Sequence, residues 1–154
     1  MGFEIERKWL PKKEDAEKMA KNANHISIEQ GYICTDPVIR IRKEGENHLL
    51  TCKGEGFLVR EEINLRISPE AYDMLLTKCE NLIIKKERYT IPYEDTGLKI
   101  ELDLFKEEHE GLIILEMEFP DEESAKSFCA PECFGVEVTG DARYTNACLS
   151  LQNP

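Results

Sequence analysis

Several features that would place this chain in a common class are missing from its sequence. Its apolar runs are only a few residues long, whereas a bilayer-spanning helix needs about 20. The first residues include Glu4 and Glu6 and contain no apolar export segment, and the six cysteines form no CxxC pair. These absences exclude a membrane-spanning helix and predict a cytoplasmic protein with reduced thiols.

Positive charge is also scarce. The 20 Lys and Arg residues are outnumbered by 31 Asp and Glu residues, so the net charge at pH 7 is -11. General nucleic-acid binding requires a basic field that displaces counterions, and it is therefore not expected here. A small anionic ligand is still compatible with this charge, because clustered bases can hold it and multivalent cations can bridge acidic groups to it.

Glycine-based phosphate motifs are absent as well. The glycines form neither a P-loop nor a dinucleotide fingerprint, so a bound phosphate would have to be held by side chains. We find no tandem repeat, low-complexity tract or interdomain linker. The length of 154 residues predicts one domain over residues 1–154, able to bury roughly two-thirds of its unfolded surface.

The sequence does contain a two-residue alternation of charged and apolar side chains, first seen in residues 1–10. Glu4, Glu6 and Lys8 share one face of this extended segment, and the opposite face is mostly apolar. Similar segments occupy residues 26–34, 38–43, 48–54, 57–67, 83–92, 98–105 and 112–119. The pattern predicts eight strands.

Short turns join most of these strands, which favours an antiparallel meander, and closure into a barrel removes the exposed edges. Helices are predicted at 12–23, at 121–130 and near the end of the chain, and at 68–82, where Ser68 and Pro69 suit a helix start. We therefore expect an α+β protein dominated by β: an eight-stranded antiparallel closed β-barrel with a charged interior, flanked by helices.

The direction of the charged faces has two possible answers. They could point to solvent around an apolar sandwich core, but such a surface usually mixes charges of both signs. Here the acids cluster as E-x-E at 4–6 and 116–118, while the bases cluster in the middle strands. Charged faces that point inward would be costly without a ligand, so they predict a highly charged ligand accompanied by metal ions.

The two kinds of charge suit two kinds of ligand. Carboxylates two residues apart on a strand can bind Mg²⁺ or Mn²⁺, and R-x-R presents two guanidinium groups to phosphate oxygens. The metal-ligand candidates are Glu4, Glu6, Asp103, Glu116 and Glu118. The phosphate-binding candidates are Lys8, Arg40, Arg42, Lys53, Arg60, Lys86 and Arg88.

The EIERK segment at 4–8 resembles the E-x-E-x-K signature of the CYTH domain, or triphosphate tunnel metalloenzyme, superfamily. The similarity continues in order through residues 30–32, 38–42, 51–54, 60–62, 86–89, 101–105, 116–119 and 137–146. It covers essentially the whole chain. The short length and the form of the signature resemble the bacterial triphosphatase-like members more than the cyclase branch.

The resemblance implies a tunnel that binds a triphosphate and divalent metal ions. The five acidic candidates would then be the metal ligands, and the seven basic candidates would bind the triphosphate. The implied activity is metal-dependent hydrolysis of inorganic triphosphate, or of a nucleoside or thiamine triphosphate, with two Mg²⁺ or Mn²⁺ ions. Lys86 and Lys8 are the candidates for activating the attacking water, because neighbouring cations disfavour a charged lysine.

Two alternatives remain open at this point. A class IV-type adenylate cyclase would use the same metals, and a non-catalytic module would bind polyphosphate without turnover. The expected partner is the small-molecule triphosphate, with no nucleic acid and no membrane, and the protein is expected to be a monomer or a homodimer. A terminal helix bearing Arg143, Tyr144 and Asn146 is expected to close one tunnel mouth.

Overall fold

The computed structural model describes residues 2–151, so Met1 and residues 152–154 of the predicted domain lie outside the described part. Nine strands form one antiparallel sheet in the order β5-β4-β3-β2-β6-β7-β8-β1-β9, and β1 also pairs with β5. The strands are β1 (Gly2–Leu10), β2 (Asn24–Thr35), β3 (Val38–Glu44), β4 (Asn47–Lys53), β5 (Val59–Arg66), β6 (Ile84–Tyr93), β7 (Leu98–Phe105), β8 (Ile113–Glu118) and β9 (Val136–Glu137). The closed eight-stranded antiparallel barrel is confirmed, with β9 as an addition.

The strand β1 closes the barrel by dividing its pairing between two neighbours. Its residues Gly2–Ile5 pair with β5, and its residues Glu6–Trp9 pair with β8. In the second half, Glu6 lies opposite Glu118 and Lys8 lies opposite Glu116. The two E-x-E segments are therefore neighbours in space although they lie far apart in the chain.

Four helices flank the barrel: α1 (Lys13–Ala20), α2 (Pro69–Leu76), α3 (Glu122–Ser127) and α4 (Asn146–Leu151). Short 3₁₀ turns occupy Glu107–His109, Glu132–Phe134 and Ala142–Tyr144. No helix in the described range is long and apolar enough to span a bilayer. Ser68 caps α2 as predicted, because its side chain accepts a hydrogen bond from the Ala71 amide at 3.0 Å.

Three helices are shorter than the sequence predicts. The α1 helix ends at Ala20, since Asn22 adopts a left-handed conformation with φ of 64° that turns the chain towards β2. The α2 helix ends at Leu76 rather than residue 82. The α3 helix ends at Ser127 rather than residue 130, because Phe128 leaves the helical conformation and packs its ring against the aromatic core.

The main apolar core lies on the outer side of the barrel wall, beneath α1 and α3. It is centred on Trp9, Leu102, Leu115, Met117 and Phe134, all almost completely buried. Because strand side chains alternate between faces, this core leaves the opposite, charged faces of the same strands directed into the barrel. The alternative of an apolar sandwich core with solvated charged faces is therefore wrong.

A second apolar cluster lies at one end of the barrel. Ile84, Phe105 and Ile114 from three adjacent strands pack against Leu149 of α4. The backbone of α4 is tied to the start of β6 by a hydrogen bond of 2.9 Å from the Leu82 amide to the Ser150 carbonyl. The terminal helix therefore covers one end of the barrel.

Candidate functional site

The inward faces of the strands line a cavity of about 290 Å³ along the barrel. All the predicted site residues line it except Lys86 and Asp103, whose side chains are completely buried behind the lining. The predicted residues in the lining are Glu4, Glu6, Lys8, Arg40, Arg42, Lys53, Arg60, Arg88, Glu116 and Glu118. The lining also contains Tyr32, Val38, Leu49, Glu62, Asn64, Glu101, Thr145, Asn146 and Ala147, which the predicted site did not include.

Four carboxylates from β1 and β8 form what we call the acidic wall: Glu4, Glu6, Glu116 and Glu118. Burial raises the pKa of Glu4 to about 8, and a hydrogen bond with Glu62 and repulsion from Glu6 add to this shift. Burial followed by the charge of Glu116 raises the pKa of Glu6, and burial followed by Glu4 raises that of Glu118. A cation placed among these groups would relieve the cost of their charge.

The fourth member of the acidic wall is held in its charged form. Burial opposes the ionisation of Glu116, but Lys8 and Arg88 outweigh burial and lower its pKa. The Lys8 Nζ atom lies 3.7 Å from Glu116 Oε1 and 3.9 Å from Glu6 Oε1. Lys53 Nζ lies 2.9 Å from Glu4 Oε1. Two lysines, Lys8 and Lys53, are therefore ion-paired with carboxylates of the acidic wall.

The acidic wall offers only carboxylate oxygens, the donors that Mg²⁺ and Mn²⁺ prefer. Its raised pKa values show that the wall gains from a bound cation, so the residues present fit a divalent metal. Within residues 2–151, however, no three carboxylate, imidazole or thiol groups converge closely enough to form a metal cage as they stand. Metal binding would therefore require the ion pairs with Lys8 and Lys53 to rearrange.

Four bases from β3, β4 and β5 form what we call the basic wall: Arg40, Arg42, Lys53 and Arg60. Arg40 is 6% exposed, donates from Nη2 to Thr51 Oγ1 at 3.3 Å, and has a buried Nε with no partner among the described residues. Arg60 donates from Nε to the Gly54 carbonyl at 3.1 Å. Neither guanidinium lies within 4.0 Å of a carboxylate in the described range.

Arg42 is a member of the basic wall whose positive charge is disfavoured by its surroundings. Burial lowers its pKa first, and the positive charges of Arg40 and Arg88 lower it further. Its Nε donates to Gln30 Oε1 at 3.0 Å, and its Nη1 pairs with Glu44 at 2.9 Å. Of the three guanidinium groups only that of Arg42 has a carboxylate partner in the described range, so the wall favours an anion in the cavity.

Lys86 and Asp103, which lie behind the lining, form a buried cluster with Arg88 of the lining. Lys86 Nζ lies 2.6 Å from Asp103 Oδ2, and Arg88 donates from Nε and Nη2 to the two Asp103 oxygens, each at 2.7 Å. Burial opposes the charge of Asp103, but Arg88 and Lys86 hold its pKa well below the usual range. Both carboxylate oxygens that would serve a metal are thus already bound to cations.

The two lysines predicted to activate water differ in their electrostatics. Burial lowers the pKa of Lys86 to about 8; Asp103 opposes this shift, and Arg88 and Arg42 reinforce it. For Lys8, burial also favours the neutral form, but Glu116 and Glu6 outweigh it and raise the pKa. Lys86 is therefore the lysine with an accessible neutral form near physiological pH.

Two parts of the lining come from groups that the predicted site omitted. The fully buried Gln30 donates from Nε2 to the Tyr32 hydroxyl oxygen at 3.2 Å, which leaves the Tyr32 proton free to face the cavity. From α4, Asn146 lines the cavity and its Oδ1 accepts a hydrogen bond from Lys86 Nζ at 3.1 Å. Arg143, which was expected at this mouth, is exposed and pairs with Asp141.

Glu62 and Glu101 lie on the same alternating faces as the predicted residues, so the strand pattern was sufficient to find them. Glu62 accepts a hydrogen bond from Asn64 and lies 3.4 Å from Lys53, and Glu101 pairs with Arg88. Asn146 was expected on a helix at one tunnel mouth, but no strand pattern assigns it to the site, because its contact with Lys86 depends on how that helix docks.

Comparison with known proteins agrees with this architecture. The CYTH domain family model matches residues 2–128. The inorganic triphosphatase of Nitrosomonas europaea is 37% identical over 98% of this chain and 99% of its own length, and that of Acetivibrio thermocellus is 38% identical over 100% and 96%. A crystal structure of an inorganic triphosphatase superposes with a TM-score of 0.69 at 33% identity, covering 100% of this chain and 98% of that one. This chain belongs to the CYTH domain family.

Proposed function

We propose that this protein hydrolyses inorganic triphosphate in a divalent-metal-dependent reaction inside the barrel. The observation that carries the proposal is the buried Arg40 guanidinium, which faces the cavity with an unpartnered Nε among the described residues. A buried cation without a counter-charge is costly unless a ligand supplies one. The acidic wall across the cavity supplies the matching site for cations that accompany a polyanion.

The size and lining of the cavity favour a small, highly charged substrate. Its volume of about 290 Å³ lies just below the range of about 300–1,000 Å³ that holds drug-sized ligands. Tyr32 is the one aromatic side chain among the described lining residues, so the wall offers little apolar surface to a purine or a thiamine ring. Relatives named inorganic triphosphatase give the same preference. An adenylate cyclase would require a purine pocket that this lining does not provide.

We propose that the acidic wall binds two divalent ions, either Mg²⁺ or Mn²⁺. The residues that would hold them are Glu4, Glu6, Glu116 and Glu118. A bound ion would neutralise phosphate charge and lower the pKa of a bound water. We assign Asp103, the fifth predicted ligand, to a different task, because its oxygens already fix Lys86 and Arg88. Four of the five predicted carboxylates would thus bind metal, and the fifth, Asp103, holds two bases in place.

The bases bind and orient the substrate. Arg40, Arg42 and Arg60 offer forked donors that match phosphate oxygens, and Lys8, Lys53 and Arg88 complete the clamp. We propose that neutral Lys86 accepts a proton from the attacking water as it adds in line to a terminal phosphorus. Lys8 stays charged beside Glu116 and contributes as a phosphate ligand.

The cellular compartment and the oligomeric state of the enzyme are also part of what we propose. We propose that it works in the cytoplasm, since six free cysteines suit a reducing compartment. We also propose that one domain carries the whole site, as a monomer or a homodimer, because the strands β1 to β8 and the helix α4 all contribute side chains to the lining.

The test is phosphate release from inorganic triphosphate, ATP and thiamine triphosphate, each with Mg²⁺, with Mn²⁺ or with EDTA. We expect metal-dependent release, fastest from inorganic triphosphate, and none with EDTA. Tight binding of triphosphate without release would support a polyphosphate-binding module instead, and cyclic AMP formed from ATP would support a cyclase.

A further inference from the structure

The α4 helix touches the proposed reaction centre at one side chain. Lys86 Nζ lies 3.1 Å from Asn146 Oδ1 and 2.6 Å from Asp103 Oδ2. An ammonium group has only donors, so the amide must turn its oxygen, not its nitrogen, towards Lys86. The contact therefore has a defined polarity, and it joins the end of the described chain to the buried cluster.

The docking of α4 determines where this oxygen lies. Leu149, one turn further along the helix, packs into the apolar cluster with Ile84 and Phe105, and the Ser150 carbonyl accepts from the Leu82 amide. These contacts involve Ile84, the first residue of β6, and Leu82 just before it, and Lys86 lies only two residues after Ile84. One short stretch of β6 thus holds both the helix and the lysine that the helix contacts.

The number of donors on Lys86 gives this contact a role. Of its three N–H groups, one is taken by Asp103 and one by Asn146, and no third acceptor is bound among the described residues. The nitrogen of Lys86 is tetrahedral, so the bond to Cε and the two hydrogen bonds fix three of its four directions. The fourth direction is left for the third N–H group or, in the neutral amine, for the lone pair. If Asn146 were removed, the side chain could rotate about the single bond to Asp103.

We propose that Asn146 is a positioning residue that fixes the orientation of the Lys86 Nζ atom beside Asp103 and makes the reaction depend on docked α4. The proposal rests on the proposed function for its catalytic consequence, but the contact itself can be measured without turnover. Asn146 lies beyond residues 2–128, the part matched by the family model, so the helix adds a residue to the site from outside the matched region.

The first experiment observes the ammonium group directly. At about pH 6 Lys86 is charged, and a buried, hydrogen-bonded ammonium exchanges its protons slowly enough for a ¹H–¹⁵N signal, assigned by its loss in Lys86→Arg. We expect Asn146→Ala to broaden or remove this signal, Asn146→Asp to keep it because an acceptor oxygen remains, and Cys148→Ala on the same helix to leave it unchanged. An unchanged signal in Asn146→Ala, or none in the wild type, would overturn the proposal.

The second experiment follows turnover of inorganic triphosphate. We expect Asn146→Ala to lower kcat about tenfold, the size of one hydrogen bond to a charged group, while KM changes less than about threefold. A loss in KM alone would show that Asn146 only contacts substrate and would overturn the positioning role. If the wild type itself releases no phosphate, the proposed function fails, whereas the ammonium signal still tests the contact.

Discussion

The two walls of the tunnel solve the problem of buried charge in opposite ways. In the acidic wall the pKa values of Glu4, Glu6 and Glu118 are raised, because burial disfavours the charged form of those carboxylates. The three arginines of the basic wall cannot respond in this way, since guanidinium groups stay charged, and Arg40 keeps a buried Nε without a partner among residues 2–151. The difference indicates that the guanidinium groups of the basic wall favour a bound anion at any pH near neutrality, whereas a bound cation would stabilise the charged form of the acidic carboxylates.

The largest effect that this comparison predicts comes from the acidic wall. Replacing Glu116 by Gln removes the one carboxylate there whose pKa is lowered, so metal-dependent phosphate release should fall at least about a hundredfold. Mg²⁺ should also stabilise the wild type against heat but not this variant. Glu110→Gln, at an exposed carboxylate away from the cavity, is the control and should retain activity. Full activity in Glu116→Gln would remove the metal assignment.

A matched pair of arginine variants compares a base on the basic wall with one in the buried cluster. Arg88→Met leaves the buried Asp103 without its bidentate partner and should lower the free energy of unfolding by about 3–5 kcal/mol. Arg40→Met removes a charge that has no ion pair in the described range and should leave stability unchanged or higher, although KM rises. Urea unfolding without ligand measures both. Equal destabilisation would show that the two arginines do not differ in this way.

The pH dependence of turnover tests the assignment of Lys86. Its pKa is lowered to about 8, so the neutral amine that accepts a proton becomes populated as the pH rises through that value. We expect kcat to rise up to about tenfold per pH unit below pH 8 and to level off above it. Initial rates at saturating triphosphate and Mg²⁺ measure this. A flat or falling profile between pH 7 and 9 would assign the proton to another group.

The smallest effect concerns the support of the basic wall. Thr51 Oγ1 accepts from Arg40 Nη2 at 3.3 Å and donates to Asn64 Oδ1 at 2.6 Å. Thr51→Val keeps the shape but removes both bonds, so KM for triphosphate should rise about threefold with kcat nearly unchanged. Thr96→Val, whose hydroxyl donates to the Tyr93 carbonyl in an exposed hairpin, is the control. An equal rise in KM in both variants would rule out a specific role for Thr51.

The strands and their inward faces could be predicted from the sequence because alternation is a local property. The β7 bounds of 98–105 match the prediction, and the closed barrel follows from eight such strands. Helix ends were predicted less well, because tertiary contacts decide them. Phe128 has no local reason to leave a helix, and it does so where its ring reaches Trp9 and Phe134.

The same pattern could not predict which inward-facing side chains line the cavity and which are buried behind the lining. Alternation assigns Lys86 and Asp103 to the inner face, as it does Arg88, but it does not show that the first two lie behind the lining. That placement follows from how α4 and the apolar cluster cover one end of the barrel. The contact between Asn146 and Lys86 depends on the same docking, and no period in the sequence encodes it.

The pairing of β1 with β8 has a consequence for how the protein is made. Glu4 and Glu6 leave the ribosome more than a hundred residues before the strand that carries Glu116 and Glu118. Contacts this distant in sequence slow folding, and until β8 is in place, the Glu6–Trp9 part of β1 and the strand β7 have exposed edges that can join other nascent chains. A divalent cation that binds across this seam would stabilise only finished barrels, and could thereby draw folding to completion as well as assist chemistry.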